Sequence, residues 1–161
     1  MFLFHGSSRA FVLPKIVASL HALDFGAAFY TTSSQRQAER WARLAVRRRN
    51  SGVATVSTYE FDEAGMGDLL VREFQGPTRE WLHFVAENRG NVYRGVKYDL
   101  VIGPIPNDRA VAVICSYMAG DIDDEAALKL LKGQKLDDQF AFLTCRALAH
   151  LHFVKEGIVE Q

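Results

Sequence analysis

The stretch Asp24–Ala42, DFGAAFYTTSSQRQAERWA, decides the fold because it contains a strand, a helix start and the change from one to the other. Residues 27–32, AAFYTT, are small, aromatic or β-branched and predict a buried strand. Ser34 followed three residues later by Gln37 fits a capping box, which satisfies the first amide groups of a helix. The sequence therefore predicts a strand that passes directly into a helix over residues 35–49.

The predicted helix 35–49 has one apolar face and one strongly basic face. Small and aromatic side chains recur at helical spacing and indicate the face that packs on the core: Ala38, Trp41, Ala42 and Ala45. The other face carries six arginines against the single acid Glu39: Arg36, Arg40, Arg43, Arg47, Arg48 and Arg49. Three roles are open for this basic face. It is a solvated surface whose charges are stabilised by the helix dipole, a nucleic-acid contact, or a docking surface for an acidic partner. The acidic tract 121–125 is an alternative, intramolecular partner.

Short strands alternate irregularly with helices along the rest of the chain. We expect further strands at 2–5, 53–61, 99–106, 139–145 and 151–157, and helices from Thr78 to about 88–90, over 108–118 and over 123–132. One or two helical turns follow Pro14, and residues 62–76 are expected to form a loop. Several strands lie too far apart in sequence to form hairpins, which predicts an α+β fold. Since no repeat or long linker interrupts the chain, residues 1–161 are expected to form one domain.

Composition excludes several classes of protein. The chain has 161 residues, 48% of them hydrophobic, and its 19 basic and 19 acidic side chains cancel. This excludes a disordered chain and a polyanion binder that acts through bulk charge. No apolar run is long enough to cross a membrane, and no signal-peptide pattern opens the chain. Two cysteines thirty residues apart form neither a disulfide framework nor a zinc ribbon, which suits a reducing cytoplasm.

The histidines and cysteines provide weak candidates for other chemistry. His150 and His152 would share one face of a strand and could be joined by Cys145, but no H-E-x-x-H or C-x-x-C motif accompanies them. The sequence therefore predicts no metal site. Cys115 and Cys145 lie in apolar segments and are expected to be packed, unreactive thiols.

Three polar or aromatic residues lie at the edges of predicted apolar strands. His5 follows FLF and precedes a Gly-Ser-Ser turn, Tyr30 follows a glycine that allows close backbone approach, and Gln139 opens QFAFLT. Taken singly, they are a strand-end histidine, a core tyrosine and a solvated glutamine. Taken together, they suit the requirements of a known enzyme fold.

Five segments in this order resemble a bacterial family of the ADP-ribosyltransferase superfamily. They are HGS at residues 5–7, the stretch 24–42, EWLHFVAENR at 80–89, DLVIGPIPNDR at 99–109 and DDQFAFLT at 137–144. The resemblance extends from residue 3 to about 153, and DFGxxFYxT is its most specific part. The family is catalogued as a domain of unknown function and is often encoded as the toxin of a toxin–antitoxin pair.

The resemblance implies a split core of two sheets with flanking helices that binds NAD in a bent conformation. His5 matches a strand-end histidine that bonds the adenosine ribose, and the backbone of Gly6 matches the group that holds the nicotinamide carboxamide. Tyr30 matches a tyrosine that stacks on the nicotinamide ring. The further cofactor contacts expected from the matched segments are Ser7, Arg9, Phe25 and Gly26.

Gln139 departs from the glutamate that is common at its position in this superfamily. An amide can orient the 2′-hydroxyl of the nicotinamide ribose but carries no negative charge. Asp137 or Asp138 would supply that charge, or the acceptor needs little activation, or turnover is slow. With glutamine at this position, a protein that binds NAD without transferring ADP-ribose is also an alternative.

The resemblance implies a mono-ADP-ribosyltransferase with NAD as co-substrate, no metal, and a small antitoxin protein as partner. The acceptor is a macromolecule, and six arginines on one helix favour nucleic acid over protein. Arg36, Arg40, Arg43 and Asp138 are the residues expected to contact it. Two alternatives remain: an NAD-dependent 2′-phosphotransferase, and a non-catalytic module that binds nucleic acid through the arginine-rich helix.

Overall fold

The computed structural model describes residues 1–17 and 23–160, which form two β-sheets and five α-helices, and so confirms the α+β prediction. Most of the helical turns predicted after Pro14 fall on residues 18–22, outside the described residues. The strands are β1 (Phe2–Ser7), β2 (Phe29–Thr31), β3 (Thr55–Phe61), β4 (Val71–Glu73), β5 (Leu100–Pro104), β6 (Asp138–Phe142) and β7 (Leu151–Ile158). The helices are α1 (Gln35–Arg49), α2 (Arg79–Arg89), α3 (Asp108–Met118), α4 (Asp124–Leu131) and α5 (Cys145–Leu148), with a 3₁₀ helix at Ala64–Asp68.

The two sheets meet at a backbone joint between β1 and the residue that follows β2. The first sheet has the order β1-β3-β7 and is antiparallel throughout. The second has the order β2-β6-β5-β4, with β4 parallel to β5. Phe4 of β1 and Thr32, just after β2, exchange two backbone hydrogen bonds of 2.8 and 3.0 Å. This joint places the ends of β1 and β2 side by side.

Helix α1 packs against β1 at the closest approach that two backbones allow. A Cβ atom on Gly6 would lie 1.8 Å from the carbonyl oxygen of Ala38 and 2.8 Å from the amide nitrogen of Ala42. Both alanines are fully buried. The predicted start of α1 is confirmed, since Ser34 Oγ accepts a 3.2 Å hydrogen bond from the Gln37 amide. The helix ends at Asn50, whose φ of 50° is left-handed.

Apolar side chains form two clusters, one on each side of the second sheet. Between the two sheets lie large aromatic residues, among them Phe29, Tyr59 and Phe142. On the other side, Trp81 of α2, Ile114 of α3 and Leu131 of α4 cover the sheet. Burial of these side chains is the main term that stabilises both layers.

Several sequence-based predictions are wrong in detail. Residues 62–76 contain the 3₁₀ helix and β4 rather than only a loop, and the strand predicted over 139–145 ends at Phe142. Thr144 ends that extended segment by capping α5, where its Oγ1 accepts a 3.2 Å bond from the Ala147 amide. Cys115 and Cys145 are both exposed, not packed in the core, because each lies on the outer side of its helix.

Two wider properties belong to the described part of the chain. None of its helices combines the length and apolar character needed to cross a membrane. Within residues 1–17 and 23–160, no cluster of three or more histidine, cysteine or carboxylate side chains is arranged to hold a metal ion.

Candidate functional site

A cavity of about 770 Å³ opens where the ends of β1 and β2 meet α1. The starts of β6 and α3 and the last residue of α2 complete its walls. This volume falls in the range of sites that enclose a small molecule or cofactor. The lining residues lie between His5 and Gln139, so that residues distant in sequence share one space.

His5 lies on the floor of the cavity in a fixed tautomer. Its Nδ1 atom lies 2.7 Å from the carbonyl oxygen of Tyr30, which can only accept, so Nδ1 carries the proton. The ring stacks on Phe29 at 4.4 Å and meets the edge of Phe11 at 5.2 Å. Burial lowers the pKa of His5 to about 4, against which the Tyr30 carbonyl acts only weakly. The imidazole is therefore neutral near pH 7, and its Nε2 atom is a hydrogen-bond acceptor that no described residue occupies.

The backbone of Gly6 presents a donor and an acceptor to the gap between the sheets. In a strand, the amide and carbonyl groups of alternate residues point to the same side. The amide and carbonyl groups of Phe4 bond to Thr32 and so point away from β3. The amide and carbonyl groups of Gly6 therefore also point away from β3, past the two bonds that form the joint. Gly6 lines the cavity. Its exposed strand edge can bind a planar amide through two hydrogen bonds.

The hydroxyl group of Tyr30 makes two hydrogen bonds to the backbone. Its hydroxyl donates a 2.6 Å bond to the Gly26 carbonyl and accepts a 3.1 Å bond from the Phe25 amide. Burial raises the pKa of Tyr30 well above its usual range, so the phenol stays neutral. Because the hydroxyl is bonded to the turn at residues 25–26, Tyr30 can contact a ligand in the cavity through the face of its ring.

Gln139 is buried, only 2% exposed, with its amide at the cavity wall. Its nitrogen lies 3.4 Å from Asp24 Oδ2 and 3.4 Å from the Pro104 carbonyl oxygen. Both neighbours are acceptors, so the nitrogen must face them. The Oε1 atom is then the end of the amide that can accept a bond from a ligand.

Asp24 and Arg89 form an ion pair behind Gln139. Arg89 Nε donates to Asp24 Oδ1 at 2.6 Å, and both side chains are largely buried, 19% and 16% exposed for Arg89 and Asp24. Arg89 is the last residue of α2, where the helix dipole favours a cation. The pair holds a carboxylate in contact with the Gln139 amide and inside the cavity wall.

A second carboxylate, Asp137, stands at the mouth of the cavity beside α1. In the amide orientation that satisfies both neighbours, Gln37 donates to Asp137 Oδ2 at 3.3 Å and accepts from the Trp41 indole at 2.9 Å. Trp41 is half-buried and lines the cavity, as does Ala45, so the predicted core face of α1 is divided. Only Ala38 and Ala42 face the core.

The cavity walls carry more positive than negative charge, although the chain as a whole is neutral. Three carboxylates line it, Asp24, Asp108 and Asp137, against six basic side chains: Arg36, Arg40, Arg48, Arg49, Arg89 and Lys135. A concave surface of one sign concentrates its field and attracts a ligand of the opposite sign. The site therefore suits an anion such as a phosphorylated nucleotide.

Eight of the residues predicted from the sequence line this cavity. They are His5, Gly6, Ser7, Tyr30, Arg36, Arg40, Asp137 and Gln139. Gln139 is buried and bonded, so the interpretation of a solvated side chain is wrong. His5 lies inside β1 rather than at its end, because the strand continues to Ser7.

Five predicted residues do not line the cavity, and each has another environment. Phe25 is 1% exposed in the core, and Gly26 forms the turn that binds the Tyr30 hydroxyl, with a φ of 89°. Arg9 lies over the Phe11 ring at 5.2 Å. Arg43 lies on another side of α1 and donates to the Glu160 carbonyl at 3.2 Å.

Asp138, the fifth of these residues, stabilises the turn that precedes α1. Its Oδ1 atom accepts bonds from Thr32 Oγ1 at 3.0 Å and from the Ser33 amide at 2.8 Å, and its Oδ2 atom accepts from the Ser33 hydroxyl. Since side chains alternate along a strand, Asp138 and Gln139 face opposite sides of β6. Asp137 and Asp138 are the two residues predicted to supply negative charge to the site. Asp137 lines the cavity, whereas Asp138 stabilises the turn before α1.

Asp24 and Arg89 are the site residues that the sequence patterns did not predict. The sequence marks Asp24 only as the end of a preceding helical segment, and Arg89 only as the end of α2. Both lie inside segments that resemble the transferase family, 24–42 and 80–89. The sequence signal for this pair is a charged residue at each position. That signal does not show that two residues 65 apart in the chain are in contact.

The fold and site define an α+β protein whose two sheets and first helix enclose a basic cavity. The chain belongs to the family described as protein of unknown function (DUF3990), whose model matches residues 1–153. No curated protein matches the chain.

Proposed function

We propose that this chain is an NAD-dependent mono-ADP-ribosyltransferase. The observation that carries the proposal is that four of the residues to which the resemblance gives a role, His5, Gly6, Tyr30 and Gln139, line one basic cavity. They come from three parts of the chain, residues 5–6, 30 and 139, and no local pattern requires these parts to meet. The excess of basic side chains around them favours the pyrophosphate group of NAD.

Each of these residues can take a distinct part in binding NAD. The Nε2 atom of His5 accepts a bond from a hydroxyl of the adenosine ribose, because Nδ1 holds the proton. The strand edge of Gly6 donates to and accepts from the nicotinamide carboxamide. The Tyr30 ring stacks on the nicotinamide, and its bonded hydroxyl fixes the plane of the ring.

Transfer breaks the bond between C1′ of the ribose and the nicotinamide nitrogen, and the electron pair leaves with neutral nicotinamide. Positive charge develops on the ribose, and a group that stabilises this charge more than the ground state accelerates the reaction. Gln139 Oε1 accepts from the ribose 2′-hydroxyl, and the bond from its nitrogen to the Asp24 carboxylate polarises the amide and so strengthens Oε1 as an acceptor. Asp24 acts through Gln139 and is a positioning residue.

Release of nicotinamide from NAD by the purified chain tests this proposal. We expect His5→Gln and Gln139→Ala each to lower the rate at least about tenfold, as for loss of one transition-state contact. His152→Gln is the matched control, since His152 is exposed on β7. No nicotinamide release above buffer, with NAD and a cell lysate as the acceptor source, would contradict the proposal.

The resemblance also supports a role as the toxin of a toxin–antitoxin pair, acting in the cytoplasm and inhibited by a small protein. Production of the wild-type chain alone in bacteria is expected to stop growth, whereas the Gln139→Ala variant is expected to be harmless. Equal growth with both chains at equal amounts would contradict a toxin. A short gene beside this one that restores growth would identify the antitoxin.

One alternative outside enzymes has specific support in the arginines that α1 presents to the cavity. A module that binds nucleic acid without catalysis would bind an oligonucleotide and leave NAD intact. The 2′-phosphotransferase alternative predicts instead that NAD is consumed only with a 2′-phosphorylated acceptor. The nicotinamide assay therefore separates all three functions.

A further inference from the structure

We propose that the acceptor is a single-stranded nucleic acid that lies along the arginines of α1 facing the cavity. We call these four residues, Arg36, Arg40, Arg48 and Arg49, the basic row. The proposal rests on the transferase function above and adds the class of substrate that receives ADP-ribose.

The basic row begins beside the position where the ribose would react. The first turn of α1 contacts the segment that leads into Gln139, since Gln37 bonds Asp137 at 3.3 Å. In the next turn, Arg40 lies 3.5 Å from Asp108, across the mouth of the cavity. An acceptor that approaches C1′ next to Gln139 therefore meets Arg36 and Arg40 first.

The charges of the basic row are largely available to a ligand. All four side chains are exposed, and Arg40 makes one long pair, with the 97% exposed Asp108. Such an exposed ion pair contributes little to stability, and a phosphate can readily take the place of Asp108 beside Arg40. The acidic tract 121–125 does not neutralise the row among the described residues. Asp123 caps α4, and Asp124 binds Arg79 at 2.6 Å and His83 at 2.8 Å.

The length of the basic row fits a chain of phosphates better than a single ligand. A helix rises 1.5 Å per residue, so Arg36 and Arg49 lie about 20 Å apart along the axis. The pyrophosphate of one NAD molecule occupies only a small part of that length. A nucleic-acid strand places a charge at each nucleotide and can pair with successive arginines.

Trp41 adds a surface on which a base can stack. It lies half-buried in the cavity wall between Arg40 and the second half of the basic row. Proteins that bind single strands without sequence preference combine a basic groove with aromatic side chains of this kind. The row and Trp41 occur together on one side of α1, whereas Arg43 and Arg47 lie outside the cavity.

The proposed reaction balances without a further reactant. A hydroxyl group or a base nitrogen that bears a hydrogen forms a bond to C1′ as the bond from C1′ to nicotinamide breaks. The acceptor loses one proton to water, and nicotinamide leaves as a neutral molecule. The products are ADP-ribosylated nucleic acid, nicotinamide and one proton.

The test compares two variants that each remove two arginines from α1: Arg36→Gln/Arg40→Gln from the basic row, and Arg43→Gln/Arg47→Gln as the control. The probes are radiolabelled NAD and short single-stranded RNA and DNA of one mixed sequence. Nicotinamide release and label on the oligonucleotide are measured separately. We expect labelling of the oligonucleotide by the basic-row variant to fall about tenfold or more further than its nicotinamide release into water, and the control to change neither.

Salt dependence gives a second readout that a structural role would not change. If two phosphate contacts are lost, the slope of log affinity against log salt falls by about 1.4 for a single strand. Equal loss of nicotinamide release and labelling in the basic-row variant would overturn the proposal, because the row would then serve NAD. Label on protein alone in a lysate would overturn it too, while leaving the transferase intact. If the wild-type chain releases no nicotinamide at all, the proposed function itself fails.

Discussion

Arg89 donates from Nε to Oδ1 of Asp24 at 2.6 Å, while the other carboxylate oxygen of Asp24 lies 3.4 Å from the Gln139 amide nitrogen. One ion pair therefore fixes a carboxylate and, through it, the direction of a buried amide. A carboxylate that is itself paired with Arg89 therefore lies directly behind the amide of Gln139.

Removal of Arg89 is expected to destabilise the chain as well as the site. Arg89→Gln leaves a largely buried carboxylate without its partner, and we expect the free energy of unfolding to fall by about 2–3 kcal/mol. Urea unfolding measures this change. Arg94→Gln is the control, since Arg94 is exposed and donates only to backbone carbonyls. The double variant Asp24→Asn/Arg89→Gln should recover part of the loss, and an additive loss would contradict the pairing.

Exchange of the carboxylate and the amide tests the relationship between Asp24 and Gln139. Gln139→Glu alone places two carboxylates in contact, which raises the pKa of one of them and disturbs the site. Asp24→Asn/Gln139→Glu keeps one carboxylate and one amide. We expect the double variant to release nicotinamide faster than Gln139→Glu at pH 7.5, because its single carboxylate has no like charge beside it. A double variant as slow as the single variant would show that Asp24 acts independently.

His5 makes stability depend on pH in a defined window. Its pKa is lowered to about 4 in the folded chain and is about 6.5 when unfolded, so the unfolded chain binds more protons between these values. Its contribution is fully present above pH 6.5 and is lost, with a slope of up to about 1.4 kcal/mol per pH unit, as the pH falls towards 4. Urea midpoints of wild type and His5→Gln across this window should converge at low pH. A constant difference would contradict a buried neutral imidazole.

Gly6 is expected to tolerate no side chain. Gly6→Ala would place a methyl group against the Ala38 carbonyl, and because backbone cannot move aside locally, we expect a loss of at least about 3 kcal/mol. Gly76→Ala is the control, because nothing lies within 4 Å of the position that its methyl group would take and its φ is not positive. Thermal unfolding of the two variants should differ clearly. Similar melting temperatures would disprove the close packing of α1 on β1.

Much of the fold follows from local rules that the sequence makes visible. The bounds of α1 follow from the Ser34 cap and the asparagine that ends the helix, and α3 begins and ends as its periodicity predicts. β4 was not predictable, because it has three residues and exists only through its parallel pairing with the distant β5. The exposure of Cys145 depends on α5, a single turn that Thr144 initiates in an otherwise strand-like segment.

The site was predictable only where a residue type carried its own signal. His5, Tyr30 and Gln139 stand out because polar or aromatic residues interrupt apolar strands. Asp24 and Arg89 pair across 65 residues, and such a contact follows from tertiary packing that no spacing rule encodes. The division of the α1 arginines has the same origin. Arg40 and Arg43 are helical neighbours, yet only Arg40 faces the cavity.

The adjacent residues His5 and Gly6 carry different kinds of information about relatives of this chain. The close packing of α1 on β1 requires glycine at position 6. Any chain that folds in this way therefore needs glycine there, whether or not it acts on NAD. His5 makes no such demand on the backbone, and under the proposed transferase function a relative without catalysis can replace it and still fold. A survey of the family should therefore use the glycine to recognise the fold and, if the proposed function holds in the nicotinamide assay, the histidine to separate active members from inactive ones.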